Sequence, residues 1–194
     1  MNGSTELSRR MALLLPLAAA ACVGNELPRE MPPLRYDYLT SLPLNVATVD
    51  IGDAPPPGPL EAQSPAPLGA ALRQMALDRL LAGGTAGRAV FVIDEAHVDR
   101  VPQGLQGVAA VHLDVVTTEG VRSGCAEARV TRTATVPGDL RAALYDLTRQ
   151  MLDDMNVEFE FQVRRSLRDW LQDTVTAPPP PPVEQQELPT PVTP

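Results

Sequence analysis

Between residues 68 and 177 the chain carries only two of its 21 prolines, Pro102 and Pro137. Proline removes a backbone donor and breaks helix and sheet interiors, so long regular elements can run freely only in that window. Fourteen of the remaining 19 prolines crowd residues 55–67 and 178–194 on either side of it, and the other five lie before residue 44. A folded domain over 36–174 follows, with a disordered proline-rich tail at 175–194 whose Pro178–Pro182 run favours extended polyproline II. Inside the window, 138–174 is the strongest periodic signal. Asp139 can cap its start, and Leu140, Leu144, Leu147, Met151, Met155, Phe159, Val163, Leu167 and Trp170 recur three or four residues apart, one stripe of a helix. Glu160 with Arg164, and Arg165 with Asp169, are spaced to pair on its outer surface.

The rest of the window reads as strands around one further helix. "PLNVATVDIG" (43–52) is rich in β-branched residues and ends in a turn glycine. "PLGAALRQMALDRLLAGG" (67–84) predicts a helix stopping at Gly83-Gly84. Strand patterns follow at 88–98, 108–118 and 125–136. In the last, Ala126, Ala128, Val130, Ala134 and Val136 alternate with Glu127, Arg129, Thr131 and Thr133, which predicts one buried and one wet face. Arg132 interrupts the buried series and marks an edge or a bulge. The order β-α-β-β-β-α predicts an α+β two-layer sandwich, a mostly antiparallel sheet with two helices on one face.

Every one of the 16 basic residues is arginine, which excludes phosphate-loop lysines, Schiff-base chemistry and lysine general bases. A net charge of −8 repels nucleic-acid phosphates, so no nucleic-acid partner is expected. Cys125 in "RSGCAEA" invites a thiol-nucleophile reading with His97 or His112 as base, but such a thiol needs a lowered pKa and an adjacent base. Here it opens an alternating strand, and a small buried side chain is the expectation. His112 and Asp114 share one strand face, and Glu127 and Arg129 share one on the next, so a solvated polar cluster is favoured over a metal site. The three carboxylates around His97 in "IDEAHVD" (93–99) should alternate between both faces. No catalytic residue, cofactor or metal is therefore expected, and the chain reads as a non-enzyme.

The address lies at the N-terminus. Arg9 and Arg10 precede the apolar run Met11–Ala21, which is too short to span a bilayer and has the layout of a signal peptide, residues 1–21. Ala19-Ala20-Ala21 suits ordinary signal peptidase. Followed by Cys22, the same residues resemble a bacterial lipobox, with Cys22 as the lipidated N-terminus, 22–35 as a tether, and two or three acyl chains as a firm anchor. A Cys22–Cys125 disulfide is the alternative use of the two cysteines. With Val23 rather than Asp after Cys22, the lean is toward the periplasmic side of the outer membrane.

A Cys at the cleavage site, "YDYL" (36–39), a first strand "VATVDI", a helix "ALRQMALDRLLAG", three strands and a closing helix together resemble an exported alphaproteobacterial lipoprotein family. More distantly, the chain is similar to the ABC-type transport auxiliary lipoproteins. That resemblance implies a non-enzymatic periplasmic accessory subunit of an envelope lipid-transport system and carries no catalytic residues with it. The other readings are a structural lipoprotein that braces or activates cell-wall machinery, and a periplasmic thiol hydrolase using Cys125. A 35-residue closing helix would be about 52 Å long and would overhang strands of about 20–33 Å. Its late apolar residues, Phe159, Phe161, Val163, Leu167, Trp170 and Leu171, would then form an interface for an envelope protein or a second copy, unless "LRYDYLTSL" (34–42) folds back over them.

Overall fold

The computed structural model describes residues 29–136 and 138–172. The expected signal peptide, Cys22 and the tail 175–194 lie outside the described residues. The elements are β1 (Leu42–Leu44), β2 (Thr48–Ile51), α1 (Leu68–Arg79), β3 (Leu80–Ala82), β4 (Arg88–Val101), β5 (Gly104–Val116), β6 (Arg122–Ala134) and α2 (Leu140–Ser166). A four-stranded sheet in the order β2-β4-β5-β6 is antiparallel except for the parallel β2–β4 pair, and β1 and β3 form a small parallel sheet beside it. This is the expected α+β fold. Both helices cover one sheet face, where Ala89, Phe91 and Ile93 of β4 and Leu105, Ala109, Val111, Leu113 and Val115 of β5 are buried against them. Phe91 meets Phe159 of α2 edge-to-face, with ring centroids 5.6 Å apart, a favoured aromatic geometry.

Two local expectations are corrected. The strand expected over 43–52 is two strands in two sheets. At the step between them the Asn45 N–H donates to Trp170 O (2.7 Å), the Val46 N–H to Leu44 O (2.8 Å) and the Ala47 N–H to Gly87 O (3.1 Å). The first helix ends at Arg79 rather than at Gly83-Gly84, because Leu80–Ala82 leaves it to pair in parallel with Leu42–Leu44. The two glycines permit a close approach of backbones instead. Gly83 N–H bonds Leu44 O (2.8 Å) and Gly84 N–H bonds Val46 O (2.9 Å), and a Cβ on Gly84 would lie 2.5 Å from the Asn45 carbonyl carbon.

The closing helix is also shorter than expected and the strands longer. Asp139 caps α2 as predicted, its side chain accepting from Arg141 N–H. The helix has 27 residues, about 40 Å, while the 13 residues of β5 span about 43 Å. Helix and sheet therefore match in length, and the overhang does not exist. The fold-back of residues 34–42 does. Tyr36 and Leu42 are buried, and Leu34 and Leu39 pack on the core. Tyr145 Oη donates to Pro32 O (2.9 Å).

Polar anchors lock that segment in place. Asp78 accepts from Arg35 Nη2 (2.9 Å), the Tyr36 N–H (2.8 Å) and Gln74 Nε2 (2.8 Å). Arg79, 1% exposed, donates to Thr40 O (2.9 Å), Asn156 Oδ1 (2.7 Å) and Glu160 Oε2 (2.5 Å). One buried guanidinium thus ties α1, α2 and the N-terminal segment together. On α2's outer surface Glu160 also takes Arg164 Nε (2.8 Å), the expected pair. Asp169 lies beyond the end of α2, in the short 3₁₀ turn Arg168–Trp170, so no helical spacing brings it to Arg165.

Candidate functional site

Chemistry-bearing side chains concentrate on the sheet face opposite the helices. Alternation alone would not put them there. The β4–β5 register shifts between Ile93 and Glu95, a bulge that leaves one residue of β4 unpaired and reverses which face the following residues point to. Ile93 pairs with Val111 on the helix side, but Glu95, His97 and Asp99 pair with Ala110, Val108 and Gln106 on the open side. Asp94 joins them, its carboxylate 2.7 Å from His112 Nδ1. The expectation that the carboxylates around His97 scatter over both faces is therefore overturned by the bulge.

Register assembles the rest. His112 lies opposite Glu127, Asp114 opposite Cys125 and Ala110 opposite Arg129, so the His112/Asp114 and Glu127/Arg129 pairs do share one face. Arg129 Nη1 reaches Glu95 (2.5 Å), Arg122 Nη2 reaches Asp114 (2.8 Å), and His97 stands between Glu95 (3.6 Å) and Asp99 (3.5 Å). These charges interleave with Val90, Val92, Val108 and Val116, each half-buried, and Ala110, which is buried; His112 lies opposite Val92 and Asp114 opposite Val90. Six carboxylates (Asp50, Asp94, Glu95, Asp99, Asp114, Glu127) face three arginines (Arg88, Arg122, Arg129), so the surface is acidic. No group of three or more His, Cys, Asp or Glu side chains among the described residues has the geometry to hold a metal ion.

Cys125 is half-buried at the start of this face. Burial, and then its neighbour Asp114, push its thiol up to about 11, against the pull of Arg122. At neutral pH it is a protonated thiol, the opposite of what a nucleophile needs.

The residues expected to form an interface on the closing helix divide. Phe159, Val163 and Leu167 are fully buried in the core, so they cannot present a surface. Trp170 and Leu171 pack partly on that core, sealed by β1: Leu44 bridges Leu171, and the Gln172 N–H donates to Pro43 O (2.9 Å). Phe161 alone stays exposed, at 55%. Arg132 lies on edge strand β6, as its break in the pattern suggested, and faces α2, where it meets Gln150 (3.0 Å) and Asp154. Sequence reasoning missed Asp94 as the partner of His112. The available signal was the acidic pair Asp94-Glu95 interrupting an alternating apolar run. No protein-family model, curated protein or solved structure matches this chain.

Proposed function

We propose that the protein is a lipid-anchored periplasmic accessory protein that works by binding through its surface, as a non-catalytic subunit of an envelope lipid-transport system. The observation that carries this reading is the open sheet face. Its half-buried valines set among ion pairs from three strands match the mixed apolar and polar composition of a protein-binding surface. The raised Cys125 thiol counts against the thiol-hydrolase alternative. The lipobox-like Ala19-Ala20-Ala21-Cys22 supports the anchor, and no helix among the described residues is long and apolar enough to cross a membrane. A structural lipoprotein of the cell wall would use the same face on a different partner.

Two experiments test it. Growth with a labelled fatty acid should mark the wild type, while Cys22→Ala should be unlabelled and soluble. In-cell crosslinking should give a discrete adduct that Val92→Arg or Val108→Arg abolishes without a change in melting temperature. An unlabelled, soluble wild type refutes the anchor, and an adduct that survives both arginine variants refutes the open face as the binding surface.

A further inference from the structure

At the C-terminal end of α2, Ser41 and Pro43 on one side and Arg164, Arg168, Leu171 and Gln172 on the other line a groove of about 360 Å³. Its charge runs against the rest of the molecule. Arg164 shares the single carboxylate of Glu160 with the buried Arg79. Arg165 and Arg168 are exposed, and no ion pair holds either among the described residues. In a chain of net charge −8, residues 164–169 carry three arginines against one carboxylate, Asp169, a local excess of positive charge. The negative end of the α2 dipole amounts to about half a charge, too little to account for three arginines within residues 164–168.

We propose that this groove binds a phosphate-bearing group. Planar guanidiniums match phosphate oxygens bidentately. Arg168 and Arg164 supply that fork, the Ser41 hydroxyl adds a neutral donor, and Pro43 and Leu171 form an apolar wall for whatever the phosphate is attached to. The volume falls at the small end of ligand cavities, which suits a headgroup-sized ligand rather than a nucleotide. A phospholipid headgroup and a free phosphoryl group share this chemistry. The inference rests on the proposed lipid-transport role only for the first of these sources.

The test is an NMR titration of the full-length chain, following backbone amides with sodium phosphate and, separately, with dihexanoylphosphatidylglycerol. Saturable shifts are expected at Ser41, Leu171 and Gln172. Arg168→Gln, an exposed residue whose loss leaves no carboxylate unpaired, should weaken binding about tenfold, as expected for one charge-assisted contact. Short-chain lipid binding about tenfold or more tighter than phosphate identifies a headgroup site, because the apolar wall then contributes. Equal affinities identify a site for free phosphoryl groups. Absence of saturable shifts with either ligand overturns the proposal, as do shifts reproduced by chloride at matched ionic strength or shifts unchanged in Arg168→Gln. Acylation of Cys22 is untouched by any of these outcomes, so failure here is distinct from failure of the lipoprotein reading.

Discussion

Replacing Arg79 tests whether one buried guanidinium holds the N-terminal segment on the domain. Arg79→Ala leaves Asn156 Oδ1 and Thr40 O without their donor and strips Glu160 of one of its two arginines. Breaking a buried charged pair costs about 3–5 kcal/mol. Glu160 is 32% exposed and keeps Arg164, so the lower end applies, about 3 kcal/mol. For a domain of this size, with about 3–4 °C per kcal/mol, the melting temperature should fall by about 10 °C. Arg79→Met keeps the apolar volume but still orphans Asn156, and Arg79→Met/Asn156→Leu should recover about 1 kcal/mol or more by removing that stranded acceptor. Acid titration adds a second readout. Burial alone would raise the Glu160 carboxyl, but Arg164 and Arg79 outweigh it and hold it below the usual range. Its contribution is therefore complete above the unfolded value of about 4.3 and is lost as pH falls through the lower folded value. The wild type should lose stability on that acid limb, and Arg79→Met should lose less, so the gap between them narrows toward low pH. Thermal melts and urea titrations across pH 3–7 measure this. A loss below about 1 kcal/mol for Arg79→Ala, no coupling in the double variant, or a gap that widens in acid refutes the network as drawn.

Further outcomes follow from single positions. Phe159→Ala should cost about 3–5 kcal/mol, as a buried ring lost from a packed core, whereas Phe161→Ser should change stability by less than about 0.5 kcal/mol; equal effects in urea titrations would contradict their assigned burial. Gly107→Ala should destabilise by about 1–3 kcal/mol through overpacking, because a Cβ there would clash with Met151 Sδ, and an unchanged melt would mean that the Met151 side chain gives way. Cys125→Ala should cost no more than about 1 kcal/mol, and the reaction of Cys125 with a thiol reagent should be slow at pH 7 and accelerate toward pH 11; rapid reaction at neutral pH would revive the nucleophile reading.

Elements whose side chains repeat over many residues were legible in the sequence. The α2 stripe, its Asp139 cap, the three long strands and the edge position of Arg132 all follow from periodicity and capping. What was not legible depends on pairing between distant segments. Nothing local in "PLNVATVDIG" says that Leu42–Leu44 will pair with Leu80–Ala82 while Thr48–Ile51 pairs with Arg88–Phe91. Nor does the mostly helical spacing of Leu68, Leu72, Met75 and Leu80 show that the chain leaves the helix after Arg79 to join a sheet. Strand length failed for a related reason. β4 and β5 extend through Asp99-Arg100-Val101 and Gly104-Leu105-Gln106, polar and glycine-containing stretches that only a tight hairpin at Pro102-Gln103 keeps in register. The supposed interface on the closing helix fell for another reason: Phe159 packs on Phe91 and Leu167 lies over Gly124, at the opposite end of the sheet from that hairpin, and the N-terminal segment joins the same core.

The bulge in β4 is different, because its cause was present in the letters. Ala89, Phe91 and Ile93 set the helix-facing residues at odd positions, yet Val98, also buried, is even. A strand has a strict period of two, so a core that needs both Ile93 and Val98 must absorb one extra residue between them. Without it, either Val98 would face water or Glu95 would point at the buried helices, a burial of charge far costlier than one unpaired strand position. The hydrophobic pattern thus compels the bulge, and the bulge delivers Asp94, Glu95, His97 and Asp99 to one face. That the acidic cluster falls where core packing demands an irregularity means its position needs no catalytic explanation. What packing does not demand is that Arg129 and His112 arrive from the neighbouring strands to meet Glu95 and Asp94, or that Arg122 meets Asp114 beside them. Those three pairings, rather than the acidic run itself, are what make the open face a built surface.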